Sequence, residues 1–147
     1  MKLYLDLCVY NRPFDYQGQD RVALETSVFI YLLEKIEYGA YILVASDALI
    51  YENHRSSDVL KSARINTYFN LAKEFIEING TDIERSKFLK KLGFSDIDAL
   101  HIALAERSDS DYFITCDDDI TNRYKRHKDL IKINIVSLSE FIGLEVR

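Results

Sequence analysis

Short, largely apolar segments recur along the chain with helical patterns between them, and this alternation limits the fold more than any other feature. They are residues 2–6 (KLYLD), 41–45 (YILVA), 112–115 (YFIT) and 132–136 (KINIV). Near-continuous apolar runs of this length mark strands buried on both faces, as in parallel sheets sandwiched between helices. Residues 10–19 hold the only proline, Pro13, with Asp15 and Gly18, and read as a loop. A helix is predicted from Asp20 to about Tyr38, its buried face carrying Val22, Leu24 or Glu25, Val28, Phe29, Leu32, Leu33 and Ile36, with Gly39 to end it. Another starts near Ser46 or Asp47, and Ser57 is placed to cap a third through Ile65, Phe69 and Leu71. Residues 74–78 (EFIEI) fit either an extension of that helix or a further strand, before a break at Asn79-Gly80. Thr81 with Glu84, and Ser95 with Asp98, match capping boxes and predict helices over about 82–91 and 96–108, with Gly93 between them. A short basic helix after Asp119 and a last helix over 140–144, capped by Ser139, complete the pattern. The expected architecture is one α/β domain over residues 1–147, a three-layer α/β/α sandwich around a parallel sheet of four to five strands.

Composition excludes several classes. Apolar residues make up 48% and charged residues 29% of the 147, too apolar for a disordered chain. No apolar run exceeds six residues, as in Val28 to Leu33, far short of the roughly 18 residues of a membrane span. Asp6 interrupts the first apolar stretch and no small-residue cleavage site follows, so a signal peptide is not expected. Two cysteines without a secretory signal point to a reducing cytoplasm. The net charge of −5 argues against nucleic acid by its sum, but not by its distribution. Basic residues cluster at Arg85, Lys87, Lys90 and Lys91, and again at Arg123, Lys125, Arg126 and Lys128.

Open parallel sheets build their sites at the carboxyl ends of strands. Asp6 ends the first apolar segment, and Asp117, Asp118 and Asp119 follow the one at 112–115. Glu52 lies about two turns into the helix after the second segment, and Asp98, with Asp96 as competitor, in the first turn of the helix before 112–115. Taken singly, each has a bland reading: a turn acceptor, a solvated helix acid, a first-turn acid favoured by the helix dipole, an N-cap. Together they outline a carboxylate pocket, which like-charge repulsion makes costly unless a cation neutralises it. Oxygen ligands suit Mg²⁺ or Mn²⁺, one or two ions, and such ions activate water against a phosphodiester. His101, three residues after Asp98 on the same helix face, reads as a packed or capping histidine. Cys8 and Cys116 read as small buried thiols, without the partners of a zinc site.

These residues carry a resemblance. LYLDLCVYN (3–11), SDALIYE (46–52), LGFSDIDALHIALAE (92–106) and DYFITCDDD (111–119) resemble the motifs of the PIN-domain family, metal-dependent ribonucleases that include the VapC-like toxins of toxin–antitoxin pairs. The most specific stretch is DALHIA, which selects Asp98 over Asp96. The resemblance implies an α/β/α sandwich and a Mg²⁺ or Mn²⁺ site built from Asp6, Glu52, Asp98 and Asp117. Thr115 would support it, with Asp119 as an auxiliary acid. It also implies an RNA substrate, a homodimer and a cognate antitoxin. Lys87, Lys90, Lys91, Arg123 and Arg126 would hold RNA phosphates. The chain departs from the family at Leu7 and Cys8, where Ser or Thr and then a small polar residue are frequent; Asn11 is the residue expected to substitute. A receiver-like phosphoacceptor would need paired acids after the first strand and a Lys after the last, where Asp6 stands alone and Ser137 follows. A haloacid-dehalogenase-like phosphatase would need Asp-x-Asp where the chain has Asp6-Leu7-Cys8. The remaining alternative is a PIN-like domain without catalysis, acting as a nucleic-acid or protein binding module.

Overall fold

The apolar segments pair as one five-stranded, all-parallel sheet in a computed structural model that describes residues 1–145; Val146 and Arg147, the end of the expected domain, lie outside the described residues. The strands are β1 (Lys2–Leu5), β2 (Ile42–Ser46), β3 (Glu74–Ile76), β4 (Tyr112–Thr115) and β5 (Asn134–Ser137), in the order β3-β2-β1-β4-β5. β1 is the central strand, with Leu3 opposite Leu43 on one side and Leu5 opposite Ile114 on the other. Its Leu3, Tyr4 and Leu5 are fully buried, as expected for a strand covered on both faces. Residues 74–76, which fitted helix or strand alike, form the edge strand β3.

Eight α-helices among the described residues flank the sheet in a three-layer α/β/α arrangement: α1 (Leu7–Asn11), α2 (Asp20–Glu37), α3 (Asp47–His54), α4 (Val59–Phe69), α5 (Gly80–Lys91), α6 (Asp96–Arg107), α7 (Asp118–Arg126) and α8 (Leu138–Glu145). None is long and apolar enough to cross a membrane. Leu3, Phe29, Leu32, Leu43, Leu104, Phe113 and Phe141 belong to a single continuous apolar core.

The loop expected over residues 10–19 is shorter than its composition suggested. Asp6 caps α1 directly, and Leu7, Val9 and Tyr10 turn their side chains into the core. A 3₁₀ turn, Arg12–Phe14, follows, with Pro13 in its opening turn, where a missing N–H costs nothing. Three caps fall elsewhere than expected. α5 is opened by a capping box between Asn79 and Asp82, because Asn79 is already extended and its Oδ1 accepts from the N–H groups of Thr81 and Asp82. Asp58 rather than Ser57 caps α4. α8 starts at Leu138, with Ser137 and Glu140 bonding reciprocally, so Ser139 lies inside the helix.

On α2 the two residues competing for one buried position separate cleanly. Leu24 is 54% exposed, whereas Glu25 is 1% exposed. The buried carboxylate is neutralised by Arg12 Nε at 2.9 Å and Arg21 Nε at 3.4 Å. Arg21 also grips Asp118 through both terminal nitrogens, at 2.7 and 2.8 Å, and donates to the Cys116 carbonyl. α2 is thereby tied to the segment that follows β4.

Candidate metal site

The carboxyl ends of β1 and β4 lie side by side, because these strands are hydrogen-bonded neighbours. The chain leaves β1 into α1 with Asp6 as the capping residue, so its carboxylate stays where the strand stops. Asp6 is 5% exposed and fully engaged: Oδ1 accepts from the Leu7 N–H at 2.8 Å, and Oδ2 accepts from the Thr115 hydroxyl at 2.8 Å and the Cys8 thiol at 3.4 Å. Burial pushes its acidity below that of an ordinary carboxyl, and the Thr115 hydrogen bond opposes that shift. Thr115, the buried last residue of β4, also accepts from the Asp117 N–H at 3.1 Å. One hydroxyl therefore fixes Asp6 and the start of the following turn.

Asp117 caps α7 and accepts from the Asp119 N–H at 2.9 Å. Its bland role as an N-cap is thus real, and it coexists with a position beside other acids. Asp98, Asp117 and Asp119 line a cavity of about 170 Å³ together with Arg123. Arg123 reaches this cavity by lying against Gly93, where φ is +108° and a Cβ would fall 2.1 Å from Nη1. Among the described residues no carboxylate pairs with Arg123, although three acids share its cavity. Asp98, in the first turn of α6, is pushed up to about 6, first by burial and then by the neighbouring charges of Asp6 and Asp117.

Glu52 projects from the second turn of α3, its side chain 27% exposed, and His101 Nε2 meets its Oε1 at 2.9 Å. Asp6, Glu52 and His101 each offer a ligand atom within 4.8 Å of the others. The sequence reads His101 as a packed or capping histidine. It is fully buried, and it is also bonded to the one acid that comes from a helix interior. The i,i+3 spacing from Asp98 was the available signal.

The other expected residues are less close. Asn11 sits half-buried at the end of α1 and makes no hydrogen bond to Asp6; the hydroxyl beside that carboxylate comes from Thr115. Lys87 pairs with Glu84 and Lys90 with Asp96, both on the surface, while Lys91 and Arg126 are exposed. Of the basic residues proposed for RNA, only Arg123 lines the acidic cavity.

Among the described residues, the cluster with ligand atoms within 4.8 Å of one another is Asp6, Glu52 and His101, without Asp98 or Asp117, and its carboxylate oxygens suit a hard divalent cation such as Mg²⁺ or Mn²⁺. The raised Asp98 is what an acid pocket shows before its charge is balanced. Stability should follow. The folded state holds the Asp98 proton more tightly than the unfolded chain does. Its contribution is therefore full below about pH 4 and lost as pH rises through about 6, on the order of 2 kcal/mol after allowance for solvent screening. Thermal melts of metal-free protein between pH 4 and 7.5 check this, and Asp98→Asn should flatten that part of the profile.

The sheet order, the flanking helices and the acid-lined strand ends define a three-layer α/β/α, PIN-like fold. Among solved structures, the chain is similar to one in the crystal structure of VapBC2 from Rickettsia felis bound to a DNA fragment from their promoter, with a TM-score of 0.56 and 14% identity over 93% of this chain and 98% of that one. It is also similar to one in FitAcB from Neisseria gonorrhoeae, with a TM-score of 0.58 and 13% identity over 92% of this chain and 97% of that one. At such identities the likeness concerns the fold alone. No protein-family model matches the sequence, and no curated protein matches it.

Proposed function

We propose that this chain, one PIN-like domain over residues 1–147, is a metal-dependent endoribonuclease of the VapC-like toxin type. The observation that carries the reading is the acid cluster at the ends of β1 and β4, in which Asp98 feels both Asp6 and Asp117. The PIN-like motifs and the fold shared with chains of VapBC2 and FitAcB support it.

In this reading Asp6, Glu52, Asp98 and Asp117 hold one or two Mg²⁺ or Mn²⁺ ions. Such an ion supplies activation of water and neutralises charge that builds on the scissile phosphate. Thr115 keeps Asp6 and the Asp117 turn in register through its hydrogen bonds to both. Asp119 is an auxiliary acid at the cavity rim. Arg123 is the cation placed to meet a phosphate oxygen there, a contact its planar fork suits. Lys87, Lys90, Lys91 and Arg126 would contact phosphates farther along the RNA, which makes affinity fall with salt. The partners are a cytoplasmic RNA, a second copy of the chain, and an antitoxin that covers the pocket with a basic side chain.

One observation favours the alternative of a non-catalytic binding module. Leu7 is buried and Cys8 offers only a weak thiol contact to Asp6, where the family frequently carries hydroxyls. Cleavage of a mixed RNA pool decides between them, with Mn²⁺ or with chelator, beside Asp98→Asn. The proposal expects cleavage only with metal and only in the wild type, together with a Mn²⁺-induced rise in melting temperature. Absence of both cleavage and metal stabilisation would leave the binding module as the better reading.

A further inference from the structure

We infer that a buried hydrogen-bonded chain, Ser46–Tyr4–His101, positions the Glu52 carboxylate for the divalent cation; the inference rests on the metal site proposed above. Glu52 poses a mechanical problem that Asp6 and Asp117 do not. Asp6 and Asp117 are short side chains fixed by capping bonds, whereas Glu52 has one more rotatable bond and stands on a helix surface. The sole hydrogen-bond partner of its carboxylate among the described residues is His101.

His101 is itself held. Its Nδ1 lies 2.7 Å from the Tyr4 hydroxyl, which lies 2.7 Å from Ser46 Oγ. Ser46 caps α3 and accepts from the Leu49 N–H at 3.1 Å. All three side chains are fully buried, so water does not compete for these bonds. For a neutral imidazole, the Glu52 carboxylate, which can only accept, sets the direction of these hydrogens. The Ser46 hydroxyl donates to the Tyr4 oxygen, and Tyr4 donates to Nδ1. The proton of the imidazole therefore sits on Nε2 and points at Glu52 Oε1. The reverse direction on a neutral ring would face the Nε2 lone pair toward the Glu52 carboxylate, two acceptors 2.9 Å apart.

This assignment separates two roles for His101. Its distances to Asp6 and Glu52 suit a ligand, but both its nitrogens are engaged, and ligation would require breaking the bond to Glu52. His101 is therefore a positioning residue. It holds one oxygen of Glu52 and leaves the other, Oε2, without a protein partner among the described residues. The same chain links the end of β2, the middle of β1 and α6, so the rigidity of the sheet reaches an acid that stands outside it. Partners of this kind, one bond removed from the ion, typically change metal affinity by about 10–100-fold.

The test is Mn²⁺ titration by calorimetry on the wild type, Tyr4→Phe, His101→Leu, His101→Gln, Glu52→Gln and the Tyr4→Phe/Glu52→Gln double variant, with metal-free melting temperatures alongside. Tyr4→Phe keeps the ring that stacks on Phe113 and removes only the hydroxyl. The inference expects Tyr4→Phe and His101→Leu to weaken Mn²⁺ binding about tenfold or more. His101→Gln, which retains an N–H donor near the Nε2 position, should recover most of that loss. In the Glu52→Gln background Tyr4→Phe should cost nothing further, because its effect passes through Glu52. Wild-type affinity in Tyr4→Phe, or additive losses in the double variant, would overturn the positioning role while leaving the metal site standing. A wild type that binds no Mn²⁺ would overturn the metal site, and this inference with it.

Discussion

Replacing Asp6 with asparagine is expected to abolish metal-dependent RNA cleavage and, at the same time, to make the metal-free protein more stable. The two effects have one origin. Asp6 is almost completely buried, and its charged form is disfavoured by that burial. Without a cation the carboxylate is therefore a liability in the folded state. Asparagine keeps an acceptor for the Leu7 N–H and nearly the same volume, but carries no charge to lose hydration. A gain of about 1 kcal/mol would raise the thermal midpoint at pH 7.5 by about 2–4 °C. Cleavage should fall more than about 100-fold, beyond the range typical of residues one bond removed from a metal. Mn²⁺ should raise the melting temperature of the wild type and leave that of the variant unchanged. Calorimetric melts and a cleavage time course on the same preparations check both arms. Retained cleavage would remove Asp6 from the ligand set. A lower midpoint would mean that its charge-assisted bonds to Leu7 and Thr115 outweigh the burial penalty.

Arg12→Leu should be the most damaging single change to the fold outside the apolar core. It strips Glu25 of its 2.9 Å partner and leaves the carboxylate, 1% exposed, to Arg21 at 3.4 Å. Arg21 is half-exposed and already committed to Asp118. Breaking a buried ion pair on one side costs about 3–5 kcal/mol, or about 6–20 °C for a chain of this size. Adding Glu25→Leu should recover most of the loss, because an apolar pair leaves no charge unbalanced. Thermal melts of the single and double variants decide it. A double variant as unstable as the single one would show that the guanidinium matters through its contact with Asp15 instead.

The sequence made the strands legible because burial on both faces leaves few polar residues within them. Residues 41–45 and 112–115 could hardly have been anything else. Residues 74–76 were ambiguous for the opposite reason: β3 is an edge strand with Phe75 exposed, so its pattern is not that of a buried segment. α1 has no counterpart in the sequence pattern; the starts of the later helices fall within a residue or two of expectation, but the capping residue depends on which backbone is already extended, and neighbouring Ser, Thr, Asn and Asp compete for that place. The buried Glu25 was visible only as an oddity in an apolar stripe. Its explanation, Arg12, stands 13 residues earlier in what composition presented as loop. At the candidate site, Asp6 and Asp117 stand out as polar residues at the ends of apolar segments, whereas Glu52 and Asp98 lie within helical patterns. The contacts at the site do not stand out, since Thr115 meets Asp6 across 109 residues and His101 meets Glu52 across 49. No local spacing reports such pairs.

The strand order has a bearing on how the chain is made. β1 lies between β2 and β4, yet it is synthesised before either, and β4 follows it by more than a hundred residues. At about 5–20 residues per second, the central strand waits roughly 5–20 s on the ribosome before its second neighbour exists. During that interval one edge of the future sheet centre is open, and Asp6 lacks the hydroxyl that fixes it. A nascent or truncated chain therefore carries the first acid but no assembled pocket. Whatever chemistry the pocket performs begins only once β4 has been made and has paired with β1.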